Sequence, residues 1–191
     1  MNRRQFLKCG LGLGAVTGSL MLPVEFLSQA HASAQHLGMD LTQGTRSLHL
    51  HRPATGEVLK LDYLKNGEWV PDAYSRICWL MRDVRANELT QMDTGLIATI
   101  DWIQKYLGQY GYTQPIQVTS GYRSPRTNAA TEGAAKNSQH VLGKALDIRI
   151  PGLSAEYLGQ LLKWLSQGGV GIYEDKNFVH LDTGRVRSWE G

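Results

Sequence analysis

The sequence predicts one α+β domain, in which a small antiparallel sheet is flanked by helices. Two kinds of periodicity carry this prediction. Apolar and polar residues alternate with period two over residues 46–51, 57–64 and 145–150, which is typical of strands that bury one face. Apolar residues recur at helical spacing over residues 72–85, 93–108 and 154–167, which indicates amphipathic helices. A chain of 191 residues is long enough for one such core and short for two.

The elements follow in a mixed order along the chain. A hairpin over residues 46–64 comes first, and two helices follow it over residues 72–85 and 93–108. A short apolar strand over residues 115–119 precedes the strand over residues 145–150. A third helix and two short strands, at residues 168–173 and 177–182, complete the pattern. No repeat or low-complexity tract interrupts it, so residues 46–191 are predicted to be one domain.

The net charge excludes one class of function. The whole chain carries +3, of which residues 1–32 hold +2, so the remainder carries about +1. A nucleic-acid-binding domain needs a basic face, and no basic stripe occurs in residues 33–191. We therefore expect no nucleic-acid partner.

The first 34 residues predict an export signal. Arg3, Arg4 and Lys8 precede a weakly apolar stretch of about 14 residues, and small-residue cleavage sites follow at Ala32 and Ala34. The adjacent arginines resemble the twin-arginine export signal, which implies the twin-arginine translocase as a partner during export. The alternative is an uncleaved membrane anchor, but about 14 residues are fewer than the roughly 20 that span a bilayer. We expect cleavage near Ala32 or Ala34, a linker over residues 35–45, no permanent membrane anchor and a periplasmic location.

Three residues near strand ends are candidate metal ligands. His140 and Asp147 are seven residues apart, roughly 10 Å along a helix, which is too far for one ion. Asp147 however falls on the predicted strand over residues 145–150, and His140 falls in the loop before it, which can fold back. His180 on the last predicted strand is a third candidate. Two histidines and one carboxylate leave a fourth tetrahedral position open, as in catalytic zinc sites. The alternative is two surface histidines and a turn aspartate.

The motifs in these regions resemble a known family. Residues 138–147 read S-x-H-x-x-G-x-A-x-D, residues 120–124 read S-G-Y-R-S, and residues 168–184 contain G-G-V-G-x-Y and F-V-H-x-D-T-G. This pattern resembles the D-Ala-D-Ala carboxypeptidase-like zinc peptidases, and within them the murein endopeptidases. The resemblance implies a Hedgehog/D-Ala-D-Ala peptidase-like fold with one Zn²⁺ per chain. It implies zinc ligands at His140, Asp147 and His180.

The same resemblance implies roles for residues around the ligands. Arg123 corresponds to an arginine that faces the scissile carbonyl, where a permanently charged guanidinium can stabilise an oxyanion. Its alternative role is a structural ion pair with an acid. Ser138 is expected to donate to the substrate or to orient its loop. Tyr122 is a candidate for substrate binding or for packing.

The general base is the point at which the sequence departs from related peptidases. Those place a base two or three residues before the last histidine, where this chain has Phe178 and Asn177. Asp182 shares the face of His180 on the predicted strand. It is expected either to activate the catalytic water or to orient His180. Weaker candidates for the base lie in the preceding turn, at Glu174 and Asp175.

The sequence therefore predicts an exported zinc metallopeptidase that acts on peptidoglycan peptide stems. The resemblance implies endopeptidase cleavage between two diaminopimelate residues of a cross-link. One alternative is a D-Ala-D-Ala carboxypeptidase or dipeptidase that uses the same machinery. An alternative of another class is a non-catalytic peptidoglycan-binding module that retains zinc, which the absence of the usual base would favour.

Overall fold

A computed structural model describes residue 38 and residues 40–191 of the chain; the predicted signal and residues 35–37 and 39 of the predicted linker lie outside these residues. The described strands are β1 (Thr45–Arg52), β2 (Glu57–Lys65), β3 (Glu68–Trp69), β4 (Ile116–Ser120), β5 (Ala145–Arg149), β6 (Gly169–Tyr173), β7 (Phe178–Asp182) and β8 (Arg187–Glu190). The helices are α1 (Pro71–Leu80), α2 (Thr94–Gly108), α3 (Pro125–Ala129) and α4 (Ala155–Leu165), with a short 3-10 helix at Gln139–Leu142. Within the described part of the chain, no helix has the length and apolar character to cross a membrane.

All eight described strands form one sheet, in the order β3-β2-β1-β4-β5-β7-β6-β8. The α+β class is confirmed, but the prediction of a small antiparallel sheet is wrong, because β1 pairs in parallel with β4 and β6 with β8. The connection between β2 and β4 contains α1 and α2, which is long enough to bring β4 back parallel to β1. β8 passes to the far side of β6, which itself runs antiparallel to β7. Antiparallel pairing holds among β4, β5, β7 and β6, the strands around the predicted site.

Several predicted boundaries differ from the observed ones. The hairpin of β1 and β2 is confirmed, as are helices α2 and α4 to within two residues at each end. The first helix ends at Leu80, five residues earlier than predicted. The carboxylate of Asp83 accepts the backbone N–H groups of Arg85 at 3.0 Å and Ala86 at 3.2 Å, which stabilises a turn instead of the helix. Four short elements were not predicted, because each is too short to show a period: α3, the 3-10 helix, β3 and β8.

The core lies against one face of the sheet and includes buried residues of helices α1, α2 and α4. Leu146 and Ile148 of β5 are buried on this face, and Val179 and Leu181 of β7 lie beside them in register. A small cavity is lined by Leu96 and Thr99 of α2, Leu162 of α4, and Val170 and Leu181, which places both helices against the same face of the sheet. Leu41 of the predicted linker is also buried in this core. The opposite face, which carries Asp147, Gly171 and His180, is called the open face below.

Candidate metal centre

Three side chains meet on the open face of the sheet. Asp147 on β5 and His180 on β7 are direct partners in the antiparallel register, so their side chains leave the sheet side by side. His140 reaches them from the 3-10 helix. Oδ1 of Asp147 lies 2.9 Å from Nδ1 of His180 and 3.2 Å from Nε2 of His140, and these two nitrogens are 3.1 Å apart. All three residues are buried.

The donor set and its spacing fit one zinc ion. Imidazole nitrogen and carboxylate oxygen bind zinc at about 2.0–2.2 Å, so two donors of a tetrahedral site are roughly 3.3 Å apart. The three separations in this cluster are 2.9, 3.1 and 3.2 Å. Three protein donors leave one tetrahedral position for another ligand, which distinguishes catalytic zinc sites from structural ones. Among the residues that the structure describes, this is the one group of three such side chains close enough to hold a metal ion.

The 3-10 helix brings His140 back over its own strand. Ser138 caps this helix, with its Oγ accepting the N–H of His140 at 3.3 Å. Gly143 ends the helix with φ of +68°, a conformation that favours glycine. A Cβ atom at Gly143 would also lie 2.6 Å from the backbone oxygen of Gln91. The turn at Gly143 therefore explains how a histidine seven residues before Asp147 comes to lie beside it.

Hydrogen bonds fix which nitrogen of each histidine faces the cluster. Nδ1 of His140 lies 2.7 Å from the carbonyl oxygen of Gly121, which can only accept, so Nδ1 carries the proton and Nε2 offers a lone pair. Nε2 of His180 lies 3.0 Å from Oδ2 of Asp182, which can only accept, so Nε2 carries the proton and Nδ1 offers its lone pair to the cluster. Both rings are thus oriented as metal ligands usually are, with the second nitrogen bonded to a carbonyl or a carboxylate.

Asp182 is fully engaged by its neighbours. Its Oδ1 accepts the N–H groups of Gly169 at 3.1 Å and Gly184 at 2.8 Å. Arg187 contacts Oδ1 at 3.1 Å and Oδ2 at 2.7 Å. The side chain is fully buried. The carboxylate lies at the Nε2 edge of His180, whereas the nitrogen of that ring that faces Asp147 and His140 is Nδ1. This is the arrangement expected of a residue that orients His180.

Burial and hydrogen bonding together set the protonation of the cluster. Burial raises the pKa of Asp147, but its contacts with His140 and His180 outweigh burial and hold the pKa well below its usual range. Burial lowers the pKa of His140. Burial also lowers the pKa of His180, but its hydrogen bonds to Asp147 and Asp182 raise it on balance. An ionised Asp147 and a neutral His140 are the forms that bind a cation.

Arg123 lies directly beside the three candidate ligands. Its Nη2 donates to Oδ2 of Asp147 at 2.6 Å and lies 3.2 Å from Nε2 of His140. Its Nε donates to Oγ of Ser120 at 3.0 Å, which fixes the plane of the guanidinium. The ion pair uses Oδ2 of Asp147 and leaves Oδ1 to the two histidines. The two roles considered for Arg123, stabilising an oxyanion and forming a structural ion pair, are therefore compatible with each other. An arginine that is paired with Asp147 is also adjacent to the position of a substrate bound at the cluster.

The other residues that the sequence suggested for substrate binding or for the general base do not all lie at the cluster. Ser138 is buried and caps the 3-10 helix, which is the loop-orienting role of its two alternatives. Tyr122 is half-buried and packs against the hydrophobic core. Glu174 and Asp175 are exposed in the turn between β6 and β7, and Glu174 faces Glu156. They lie beyond the strand ends, away from the cluster.

Trp189 also lies at the cluster, and no pattern in the sequence predicted this. Its ring centroid lies 5.2 Å from that of His180, and its Nε1 donates to the hydroxyl of Tyr173 at 3.0 Å. The ring covers Gly171, where a Cβ atom would lie 2.5 Å from the indole. The sequence offers only an indirect signal, because Gly169 and Gly171 alternate on one face of a strand and so leave room for large side chains. Arg187 and Trp189 fill that room from β8.

The chain is similar to known peptidases of one family. A model of the M15 peptidase family described as peptidoglycan L,D-endopeptidase MepK matches residues 40–189. The peptidoglycan L,D-endopeptidase MepK of Escherichia coli K12 is 33% identical over 192 residues, which cover 98% of this chain and 97% of the relative. The probable peptidoglycan L,D-endopeptidase MepK of Haemophilus influenzae is 36% identical over 194 residues, which cover 100% and 96%. No solved structure matches the chain.

Proposed function

The chain belongs to the M15 peptidase family described as peptidoglycan L,D-endopeptidase MepK, and on that basis we propose that it is a zinc peptidase that cleaves the peptide cross-links of peptidoglycan. Both relatives are named as endopeptidases, and the match to each extends over nearly its whole length. These names favour an enzyme over a non-catalytic binding module, and an endopeptidase over a carboxypeptidase that removes terminal D-alanine.

One structural observation supports the proposal. Nε2 of His140, Oδ1 of Asp147 and Nδ1 of His180 form a triangle with sides of 2.9 to 3.2 Å. That triangle supports one zinc ion held by these three residues, with a position left for another ligand. When bound there, zinc supplies a Lewis acid that polarises the scissile carbonyl and makes water a stronger nucleophile at neutral pH.

The protein's own side chains then have separate tasks. Arg123 presents a permanent positive charge where negative charge develops on the carbonyl oxygen, and it is already oriented by Ser120 and Asp147. Asp182 keeps the proton of His180 on Nε2, so that Nδ1 keeps a lone pair for the metal ion. The five hydrogen bonds to Asp182 favour this orienting role over the role of general base. Ser138 holds the helix that presents His140.

The bond between two diaminopimelate residues is the proposed point of cleavage. The resemblance of the motifs to murein endopeptidases suggests this bond, and the L,D-endopeptidase names of the relatives are consistent with it. Residues 1–34 are proposed to direct export to the periplasm through the twin-arginine translocase and then to be removed. This location agrees with a substrate that lies outside the cytoplasmic membrane.

Digestion of purified sacculi tests the proposed function. We expect the mature protein to cut cross-links in sacculi, so that subsequent muramidase digestion yields un-cross-linked muropeptides whose structures identify the cleaved bond. Chelator should abolish this loss of cross-links, and added zinc should restore it. The matched control is the His180→Ala variant assayed with excess zinc. Loss of terminal D-alanine without loss of cross-links would instead identify a carboxypeptidase, and binding to sacculi without any product would identify a binding module.

A further inference from the structure

The turn after α1 supports the backbone of Arg123 from behind. We refer to Met81, Arg82 and Asp83 as the 81–83 turn. Tyr122 donates its N–H to the carbonyl oxygen of Met81 at 2.8 Å, and Ser124 donates its N–H to Oδ2 of Asp83 at 2.9 Å. Between them, Arg123 donates its own N–H to the carbonyl oxygen of His140 at 3.2 Å. Three consecutive amides are thus anchored to the 81–83 turn and to the helix that carries a candidate metal ligand.

The contact between the two segments is close. A Cβ atom at Gly121 would lie 2.2 Å from the backbone oxygen of Met81, so the two backbones touch with no side chain between them. Met81 is fully buried. The carbonyl oxygen of Gly121 also accepts from Nδ1 of His140. A shift of the 81–83 turn would therefore be transmitted to the segment that carries Arg123.

Asp83 is the side chain that joins the two segments. It is 3% exposed, and its Oδ1 accepts the N–H groups of Arg85 and Ala86 within its own turn. Its backbone pairs with Glu88 in both directions, at 2.8 and 3.2 Å. These bonds hold the carboxylate in place, and its second oxygen is directed at Ser124. Burial raises the pKa of Asp83, but hydrogen bonds, including those from Thr127 and Ser124, lower it on balance.

We propose that Asp83 is a positioning residue, which holds the guanidinium of Arg123 in its working place through the N–H of Ser124. This inference rests on the proposed function, in which Arg123 stabilises the oxyanion. A donor of that kind is effective because it is fixed before the reaction begins. A displacement of about 1 Å can cost as much as 10²-fold in rate. The carboxylate of Asp83 accepts hydrogen bonds from Ser124 and from its own turn. Its effect on Arg123 therefore passes through Ser124.

The first test observes Arg123 directly and needs no activity. Asp83→Asn preserves the volume of the side chain but replaces one acceptor oxygen by an NH₂ donor. In ¹⁵N-labelled, zinc-loaded protein, the Nε–H resonance of Arg123 reports its bond to Ser120, and its loss in Arg123→Lys identifies it. We expect this resonance to shift and broaden in Asp83→Asn. An unchanged resonance would overturn the proposal.

The matched control is another buried aspartate, which lies on a different element of the fold. Asp101 pairs with Arg46 at 2.6 Å and is fully buried, and it lies on α2 against the other face of the sheet. Asp101→Asn should lower the melting temperature without moving the Arg123 resonance. A milder second variant, Thr127→Val, removes a hydroxyl that bonds to Asp83, and it should shift the resonance in the same direction by a smaller amount.

A double-mutant cycle supplies the kinetic test. Asp83→Asn should lower kcat on the order of 10-fold with little change in KM and with zinc stoichiometry preserved. In the Arg123→Ala background the same change should cost less than about 2-fold, because its target is gone. Equal losses in both backgrounds would show a merely structural role and overturn the proposal. If Arg123→Ala is fully active, the role assigned to Arg123 fails, and the resonance of Arg123 still decides whether Asp83 positions it.

Discussion

His180 donates Nε2–H to the carboxylate of Asp182 at 3.0 Å, on the edge of the ring opposite the nitrogen that faces Asp147. The two residues are separated by one position on β7, so their side chains share the open face. The carboxylate of Asp182 also accepts hydrogen bonds from Arg187 and from two backbone N–H groups. A buried carboxylate with this many hydrogen bonds is suited to keep the proton of His180 on Nε2 rather than to exchange a proton with water.

Asp182→Asn is therefore expected to weaken zinc binding and not to change the chemistry directly. We expect zinc affinity to fall roughly 10–100-fold, because the orientation of His180 is lost, and added zinc to restore much of the rate. Competition with a metallochromic chelator measures the affinity. If Asp182 were the base, the variant would keep its zinc and lose the alkaline-rising limb of its pH–rate profile. A fully active, zinc-replete variant would exclude both roles.

The stability of the metal-free protein should fall in acid. Hydrogen bonds from His180 and Arg187 outweigh the effect of burial and hold the pKa of Asp182 well below its usual range. Because the folded pKa lies below the unfolded value of about 3.9, this contribution is complete above roughly pH 5 and is lost as the pH falls. Melting temperatures measured between pH 7 and pH 3 test this. The Asp182→Asn variant should be less stable at pH 7 and lose less between these values.

Removal of any candidate ligand should remove metal and activity together. We expect near 1:1 zinc in the mature protein, and His140→Ala, Asp147→Ala and His180→Ala should each lower the zinc content and abolish cleavage, because two donors do not hold the ion. Atomic absorption after gel filtration measures the content. The matched control is His49→Ala, a half-buried histidine on β1. Stoichiometric zinc in both histidine variants of the cluster would refute the assignment.

Arg123 should act on the transition state more than on substrate binding. Its replacement by alanine is expected to lower kcat on the order of 10²-fold with a smaller change in KM, because an oxyanion forms only after attack. Arg123→Lys keeps the charge but not the planar fork that contacts Ser120 and Asp147. It should recover part of kcat. A rise in KM at constant kcat would instead assign Arg123 to ground-state binding.

The export signal makes a prediction that does not depend on the fold. Replacing Arg3 and Arg4 by lysine should leave the precursor in the cytoplasm, because the adjacent arginines are the feature that resembles a twin-arginine signal. Cell fractionation and immunoblotting measure the distribution. The N-terminus of the periplasmic protein should lie close to residue 33 or 35. A periplasmic protein that still begins at Met1 would contradict cleavage.

The sequence by itself determined the candidate residues and the outline of the fold. Period-two and helical patterns located the hairpin, α2, α4 and the strands of the site, because each of these elements buries a continuous face of its own. The spacing around Gly143 placed Asp147 on a strand and His140 before it. The motifs then identified the family. These are local properties, and a one-dimensional pattern records them.

Only the tertiary structure decided which residues are neighbours and what each one does. Register between β5 and β7 sets Asp147 against His180, and the parallel addition of β8 brings Arg187 to Asp182 and Trp189 over His180. The early end of α1 frees Asp83 to bond Ser124. None of these contacts leaves a period in the sequence, because each joins segments that are distant along the chain or too short to repeat. Hydrogen bonding between such segments, and not the identity of Asp182 alone, distinguishes an orienting carboxylate from a free one.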